Sequence, residues 1–287
     1  MEVGEVMSLT RLKELLDEAE DRKYAIGAFS IANMEMIIGA VKAAEELKSP
    51  IILQIAESRL KHSPLHLIGP VMMEAAKKAK VPVAVHLDHG LTMDCIHEAL
   101  DLGFTSVMID GSKYTLDKNI DLTKSVIKKA QEYGASVEAE IGRVGGSEDG
   151  SEDISAMYTD TGEAYEFYSE TKVDALAIGI GNAHGVYKGL PNLNFDVLKN
   201  IYKKVDVPLV LHGGSGISDD DFRKCVSYGV RKINIATATF ISVAQKVEEL
   251  CRKHEHTDYF KLHEAEIEGA YLNVKKHIKI FGSNNKA

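Results

Sequence analysis

The stretch Pro82-Val83-Ala84-Val85-His86-Leu87-Asp88-His89-Gly90 decides how the rest of the chain is read. It opens with a proline and a short, mostly apolar run, as a parallel strand covered on both faces does. Its end changes character abruptly: two histidines, an aspartate and a glycine within five residues. Barrels of alternating strands and helices collect their reactive groups at the C-terminal ends of strands.

Seven more runs of the same kind recur along the chain: AIGAF (25–29), PIILQ (50–54), SVMID (106–110), SVEAEIG (136–142), ALAIGI (175–180), PLVLH (208–212) and KINIA (232–236). Longer amphipathic segments lie between them, at 33–47, 64–79, 92–102, 119–133, 160–171, 193–204, 218–228 and 238–254. In the first of these, Met36, Ile37, Ala40, Ala43 and Ala44 recur at helical spacing. The segment 218–228 opens Ser-Asp-Asp-Asp, a helix cap followed by acidic residues that suit the positive end of the helix dipole. A further helix is expected at 9–20, before the first strand, and another at 264–280, after the last. Eight uninterrupted strand–helix units predict an α/β fold: one (β/α)8 TIM-barrel domain over residues 1–287, with an N-terminal helix and a C-terminal helical extension. An open, doubly wound sheet is the alternative. The irregular stretch is 143–159, rich in Gly, Ser and acidic residues. A long loop after the fifth strand is expected to be an active-site lid.

The bulk properties fit this architecture. The chain has 287 residues, 45% of them hydrophobic, and a formal net charge of -9. That charge argues against a nucleic-acid or anionic-membrane surface, which needs clustered Lys and Arg. It leaves room for a small phosphorylated substrate. No apolar run is long enough to span a bilayer, and the N-terminus lacks the pattern of a signal peptide. Cys95, Cys225 and Cys251 are widely spaced and odd in number, so buried or inert thiols in a reducing cytoplasm are expected.

Three strand ends each deliver a histidine: His89 after the third, His184 in the GNAHG that follows the sixth, and His212 after the seventh. Three imidazoles converging with an open fourth position form a catalytic zinc arrangement, and neutral imidazole suits that metal. His86 and His89 are three apart in an extended stretch and tend to face opposite ways; His89, further out of the barrel, is the expected ligand. The remaining histidines, including His62, His66, His97, His254, His256, His263 and His277, read as solvated. Asp88 adjoins the site either as a general acid or base or as a support for a histidine. Gly213-Gly214-Ser215 after the seventh strand, with Asn234-Ile235-Ala236-Thr237 closing the eighth, matches the recurrent phosphate site of this barrel. A third, acidic set comprises Asp110, Glu140 and the loop pair Glu148-Asp149, which is read either as solvated surface or as a mobile proton-transfer group.

At these motifs the sequence resembles the class II aldolases, in the shorter branch that includes tagatose-bisphosphate and many fructose-bisphosphate aldolases. The strings are VHLDHG (85–90), VMIDGS (107–112), EIGRVGGSEDG (140–150), IGNAHGVYKG (180–189), LHGGSGI (211–217), KINIAT (232–237) and the tail FGSNNKA. The resemblance implies reversible, zinc-dependent cleavage of a ketose 1,6-bisphosphate, from fructose or tagatose, to dihydroxyacetone phosphate and glyceraldehyde 3-phosphate. It assigns His89, His184 and His212 to zinc and Asp88 to proton transfer at the C4 hydroxyl. Glu148 is matched to the loop carboxylate that exchanges the C3 proton. Gly185, Gly213, Gly214, Ser215, Asn234, Ile235, Ala236 and Thr237 are matched to the dihydroxyacetone phosphate site, with Lys188 as a further phosphate or loop contact. Asp110 and Glu140 are matched to a second or alternative metal position. A monovalent cation is an optional cofactor, and a homodimer or homotetramer is implied. Ser30, Ala56 and Lys279 depart from residues common in the family. A zinc hydrolase on the same barrel is the competing enzyme class, although the HxH pair usual there is missing from residues 25–35. A sugar-phosphate binder without turnover and a metal-free phosphate barrel are the other readings.

Overall fold

A computed structural model describes residues 8–146, 158–185, 187, 189, 191–253 and 256–287. Eight parallel strands close into a barrel in the order of the chain: β1 (Ile26–Ser30), β2 (Ile51–Ala56), β3 (Val83–Gly90), β4 (Ser106–Ile109), β5 (Ser136–Ile141), β6 (Ala175–Ile178), β7 (Leu209–Leu211) and β8 (Val230–Ile235). The last pairs with the first through Ala28 and Asn234, which disposes of the open sheet. The helices are α1 (Leu12–Arg22), α2 (Met34–Leu47), α3 (Leu65–Lys78), α4 (Met93–Asp101), α5 (Leu116–Tyr133), α6 (Thr161–Thr171), α7 (Phe195–Lys204), α8 (Asp219–Ser227), α9 (Thr237–Lys253) and α10 (Tyr259–Phe281), with a 3-10 turn at Glu57–Arg59. Local signals account for their starts. Asn33, Thr92, Asp160, Asn194, Ser218 and Asp258 each accept a hydrogen bond from a first-turn amide of the helix that follows.

Alternation along the strands divides the core in two. Outward residues such as Leu53, Val85, Val107, Val137, Leu176 and Ile233 pack under the helices in the larger apolar cluster. Inward residues Ala28, Ile52, Ala84, Ala175, Ala177 and Val210 form a second cluster at the foot of the barrel, with Leu12, Leu15, Leu16 and Ala19 of α1. Moving up by two residues on each strand, the interior turns polar: Gln54, His86, Ser106, Glu138 and Lys232, then Asp88, Glu140, His212 and Asn234, all buried. The apolar floor therefore carries a polar upper interior, and the site stands on it.

The C-terminal helix α10 lies against α2 and α9. A Cβ on Gly39 would fall 2.5 Å from Ile267 O, so the missing side chain is what lets the helices approach. On the core side of α10, residues 273, 274, 277, 278 and 281 share one face. This overturns one expectation: His277 is buried, ringed by Phe29, Phe222 and Phe281. Burial pushes it down to about 4, and its Nδ1 bonds Asn273 O at 2.8 Å. His97 and His263 are half-buried, the latter against Glu35; His62, His66 and His256 are exposed as expected, while His254 lies outside the described residues. Phe222 stacks edge-on at 5.1 Å to Phe281. Phe222→Ala is expected to cost about 3–5 kcal/mol in a urea unfolding series, without touching the polar upper interior.

Candidate active site

β3 runs further than its apolar segment, through Gly90, and its pairing with β4 slips between Leu87 and Gly90. At this bulge His89 takes φ 41°, in the left-handed region. Bulges re-aim side chains at barrel rims and active sites. Here the bulge undoes the alternation that would separate His86 from His89, and both rings reach the interior. His86 sits lower, with Nδ1 2.8 Å from Ser106 Oγ. His89 joins His184 and His212, ring centroids 4.9 and 4.5 Å away, with 5.9 Å between the latter two.

His212 directly follows β7. His184 lies six residues beyond β6, in a loop pinned by its amide to Gly145 O at 2.7 Å. Tyr187 ties this loop to the next: its hydroxyl accepts from Ala183 N and donates to Gly213 O, each at 2.9 Å. Gly213 has φ 62°, and a Cβ there would stand 2.2 Å from Ala183 O; only glycine fits.

Each of two rings is held by a carboxylate. His89 Nδ1 is 2.8 Å from Asp110 Oδ2, and His212 Nε2 is 2.8 Å from Glu138 Oε1. A ring nitrogen beside a carboxylate carries the proton, so the other nitrogen of each ring presents a lone pair. Those two, His89 Nε2 and His212 Nδ1, face each other at 2.8 Å. Two lone pairs at that distance require a cation between them, a proton or a metal ion. On His89, paired with Asp110 at 2.8 Å, a proton is compensated, but burial opposes it on the other two rings. Burial holds His212 far below the usual imidazole range and brings His184 down to about 3, with the His89 charge acting in the same direction.

The surrounding acids suit a metal ion. The carboxyl of Glu140 is pushed up to about 8 by burial and by the Asp110 charge, so an added positive charge would favour its ionised form. Its Oε2 is buried with no hydrogen-bond partner among the described residues, 3.5 Å from His212 Nδ1. For Asp110 burial acts upward, but the His89 and Ser112 hydrogen bonds outweigh it and hold the group below the carboxylate range. His89, His184 and His212 can therefore hold a metal ion, and His89, Asp110 and Glu140 form an adjoining set.

Asp88 stands beside this cluster, fully buried. Its Oδ1 accepts from Asn234 Nδ2 at 3.0 Å and its Oδ2 from Gln54 Nε2 at 2.9 Å. The glycine turn and the end of β8 lie side by side at the rim: Gly214 N donates to Asn234 O at 3.1 Å, and Ala238 N to Ser215 Oγ at 2.9 Å. The Ile235 side chain points into the outer core, so only its backbone can serve a ligand.

Comparison with known proteins fits this geometry. The family model for fructose-bisphosphate aldolase class-II matches residues 10–286. The chain belongs to that family. A fructose-bisphosphate aldolase of Staphylococcus aureus (strain Mu50) is 38% identical over 98% of this chain and 100% of its own. A sulfofructosephosphate aldolase of Alkalicoccus urumqiensis is also 38% identical, over 96% and 97%. Among solved structures, the YdjI aldolase of Escherichia coli K12 superposes with a TM-score of 0.86 at 35% identity, covering 97% of this chain and 99% of that one.

The candidate site includes residues that the motifs did not single out. Gln54, Glu138 and Lys232 are fully buried under the histidines. Each lies on a parallel strand, two positions from a residue that was recognised or expected at the site: Ala56, Glu140 and Asn234. Among the departures, Ser30 Oγ accepts from Gln54 Nε2 at 3.3 Å, and Ala56 pairs across the ladder with Asp88. Lys279 lies near the end of α10, whose Phe281 carbonyl accepts from Ala25 N below β1; within one protomer that is the end opposite the histidines. Glu148 and Lys188, and most of the expected lid, lie outside the described residues. Cys95 and Cys225 are buried, whereas Cys251 is exposed; all three are free thiols. Among the described residues no helix is long and apolar enough to cross a membrane.

Proposed function

We propose that this aldolase is zinc-dependent and cleaves fructose 1,6-bisphosphate or tagatose 1,6-bisphosphate to dihydroxyacetone phosphate and glyceraldehyde 3-phosphate. One observation carries the metal assignment: ring nitrogens of His89, His184 and His212 converge to within 4.8 Å of one another. Bound there, zinc supplies a Lewis acid for the negative charge left when C3–C4 breaks. Asp88 takes the C4 hydroxyl proton as the carbonyl forms and returns it in the condensation direction. Gln54 and Asn234 aim its carboxylate. The backbone of Gly185 and the Gly213–Ser215 turn, with Asn234–Thr237 at the start of α9, binds the phosphate of the ketone fragment. Glu148 exchanges the C3 proton and Lys188 supports a phosphate, on the strength of their motifs. Asp110 and Glu140 supply a second or alternative metal position, and a monovalent cation assists binding. The whole of 1–287 acts as one domain, within a cytoplasmic homodimer or homotetramer.

A coupled assay on both ketose bisphosphates, before and after EDTA and after zinc is restored, tests the proposal. Cleavage should vanish on chelation and return with zinc, and the ratio of the two rates names the preferred substrate. Activity that survives complete removal of metal would refute zinc dependence. If zinc-loaded protein cleaves neither compound, the result points to another phosphorylated ketose, a class that the sulfofructosephosphate aldolase relative brings into view, or to a binding protein.

A further inference from the structure

Beneath the site a fully buried lysine joins its two halves. Lys232 Nζ lies 2.9 Å from Glu138 Oε2, 3.2 Å from Glu138 Oε1 and 2.7 Å from Asn234 Oδ1. We propose that Lys232 is a positioning residue for the aldol reaction: its ammonium, held between Glu138 and Asn234, turns the His212 ring toward the metal position and the Asn234 amide toward Asp88. This rests on the metal and proton assignments proposed above.

The chemistry of the groups leaves little freedom. An ammonium only donates, and an ionised carboxylate only accepts. Asn234 lies between the two, so its carbonyl must face Lys232 and its NH2 must face Asp88, as the 3.0 Å contact to Asp88 Oδ1 requires. A flipped amide would set N–H against the ammonium and oxygen against the carboxylate. On the other side, Glu138 accepts the His212 Nε2 proton at 2.8 Å, which leaves Nδ1 as the lone pair that faces His89. A lone buried carboxylate is strongly unfavourable, and Lys232 supplies the compensating cation.

Structural need does not explain the pair. Barrel interiors are usually filled by branched apolar side chains, and a buried ion pair is often no more stabilising than an apolar pair of the same shape. Lys232 and Asn234 also alternate on β8 as Glu138 and Glu140 do on β5, so both arms of the relay point into one interior.

Lys232→Met in the full-length protein tests the role by two readouts: zinc competition against a chelator, and steady-state cleavage at saturating zinc. Circular dichroism reports whether the barrel is folded. Zinc should be held about 10–100-fold more weakly, the loss expected when the partner of a ligand is disturbed. With zinc saturating, kcat should still fall by about 10–100-fold while KM stays within about threefold, because orientation rather than binding is lost. A mere packing defect would lower the melting temperature and leave the kcat of folded, zinc-loaded enzyme unchanged.

The double variant Glu138→Gln/Lys232→Met removes both charges and guards against a single variant that fails to fold. Its Gln carbonyl can still accept from His212, so zinc retention should recover. Its kcat should stay low, because Asn234 has lost its donor. Recovery of kcat together with zinc would show that Lys232 only neutralises Glu138 and would overturn the proposal. So would unchanged zinc affinity and kcat in Lys232→Met. A wild-type protein that cleaves neither ketose bisphosphate would count against the substrate reading alone, and the zinc ratios would still decide the His212 arm.

Discussion

Asp88→Ala should lower the cleavage rate by about 10²–10⁴-fold, the usual contribution of a positioned acid or base, and leave bound zinc unchanged. Two roles were open for an aspartate in this place: proton transfer, or support of a neighbouring histidine. The hydrogen bonds support the first. His89 takes its carboxylate from Asp110 and His212 from Glu138, whereas Asp88 accepts from the side-chain amides of Gln54 and Asn234. A supporting carboxylate would take metal with it when removed, typically about 10–100-fold in affinity. A proton carrier would not. The substitution strands two buried amide donors, at about 1–3 kcal/mol each, so a melting curve must accompany the assay. Near-normal turnover by a folded, zinc-loaded Asp88→Ala protein would remove Asp88 from the chemistry.

The barrel was legible because its strands are short apolar runs at regular intervals and its helices carry caps such as Asn33 and Ser218. The site was legible only where residues stand at strand ends. The position of His89 depends on a bulge and a left-handed φ, which no alternation of residues in PVAVHLDHG announces. Glu138 and Lys232 were hidden for the opposite reason. They lie mid-strand, where a charged residue reads as an interruption until the closed barrel pairs it with its counter-charge across the interior. His277 was misread because one polar residue on a helix looks solvated until Val274, Ile278 and Phe281 are placed on the same face. For the strand residues the missing information is long-range, namely which opposite wall or neighbouring strand a side chain meets; for His277 it is local helical spacing.

His212→Ala should have the second large effect, on the metal itself. The ring supplies one of the three converging imidazole nitrogens, so its loss leaves His89 and His184 as the remaining imidazoles of the set. Zinc should be held more weakly by more than the 10–100-fold or so that loss of a supporting partner costs, and cleavage at ordinary zinc concentrations should fall with it. The barrel should survive, because Glu138 keeps its 2.9 Å partner Lys232 when the imidazole leaves; the charge in the interior remains paired. His184→Ala should also lose zinc, through a ring whose backbone is anchored on a different loop. The two rings stand on different segments, His212 directly after β7 and His184 on the loop held at Gly145, so a common loss is not the collapse of one strand end. Metal analysis of both proteins after gel filtration decides the matter. Unchanged zinc in both would move the ion to His89, Asp110 and Glu140, where carboxylates replace two imidazoles and the preference would shift from zinc toward metals that favour oxygen ligands.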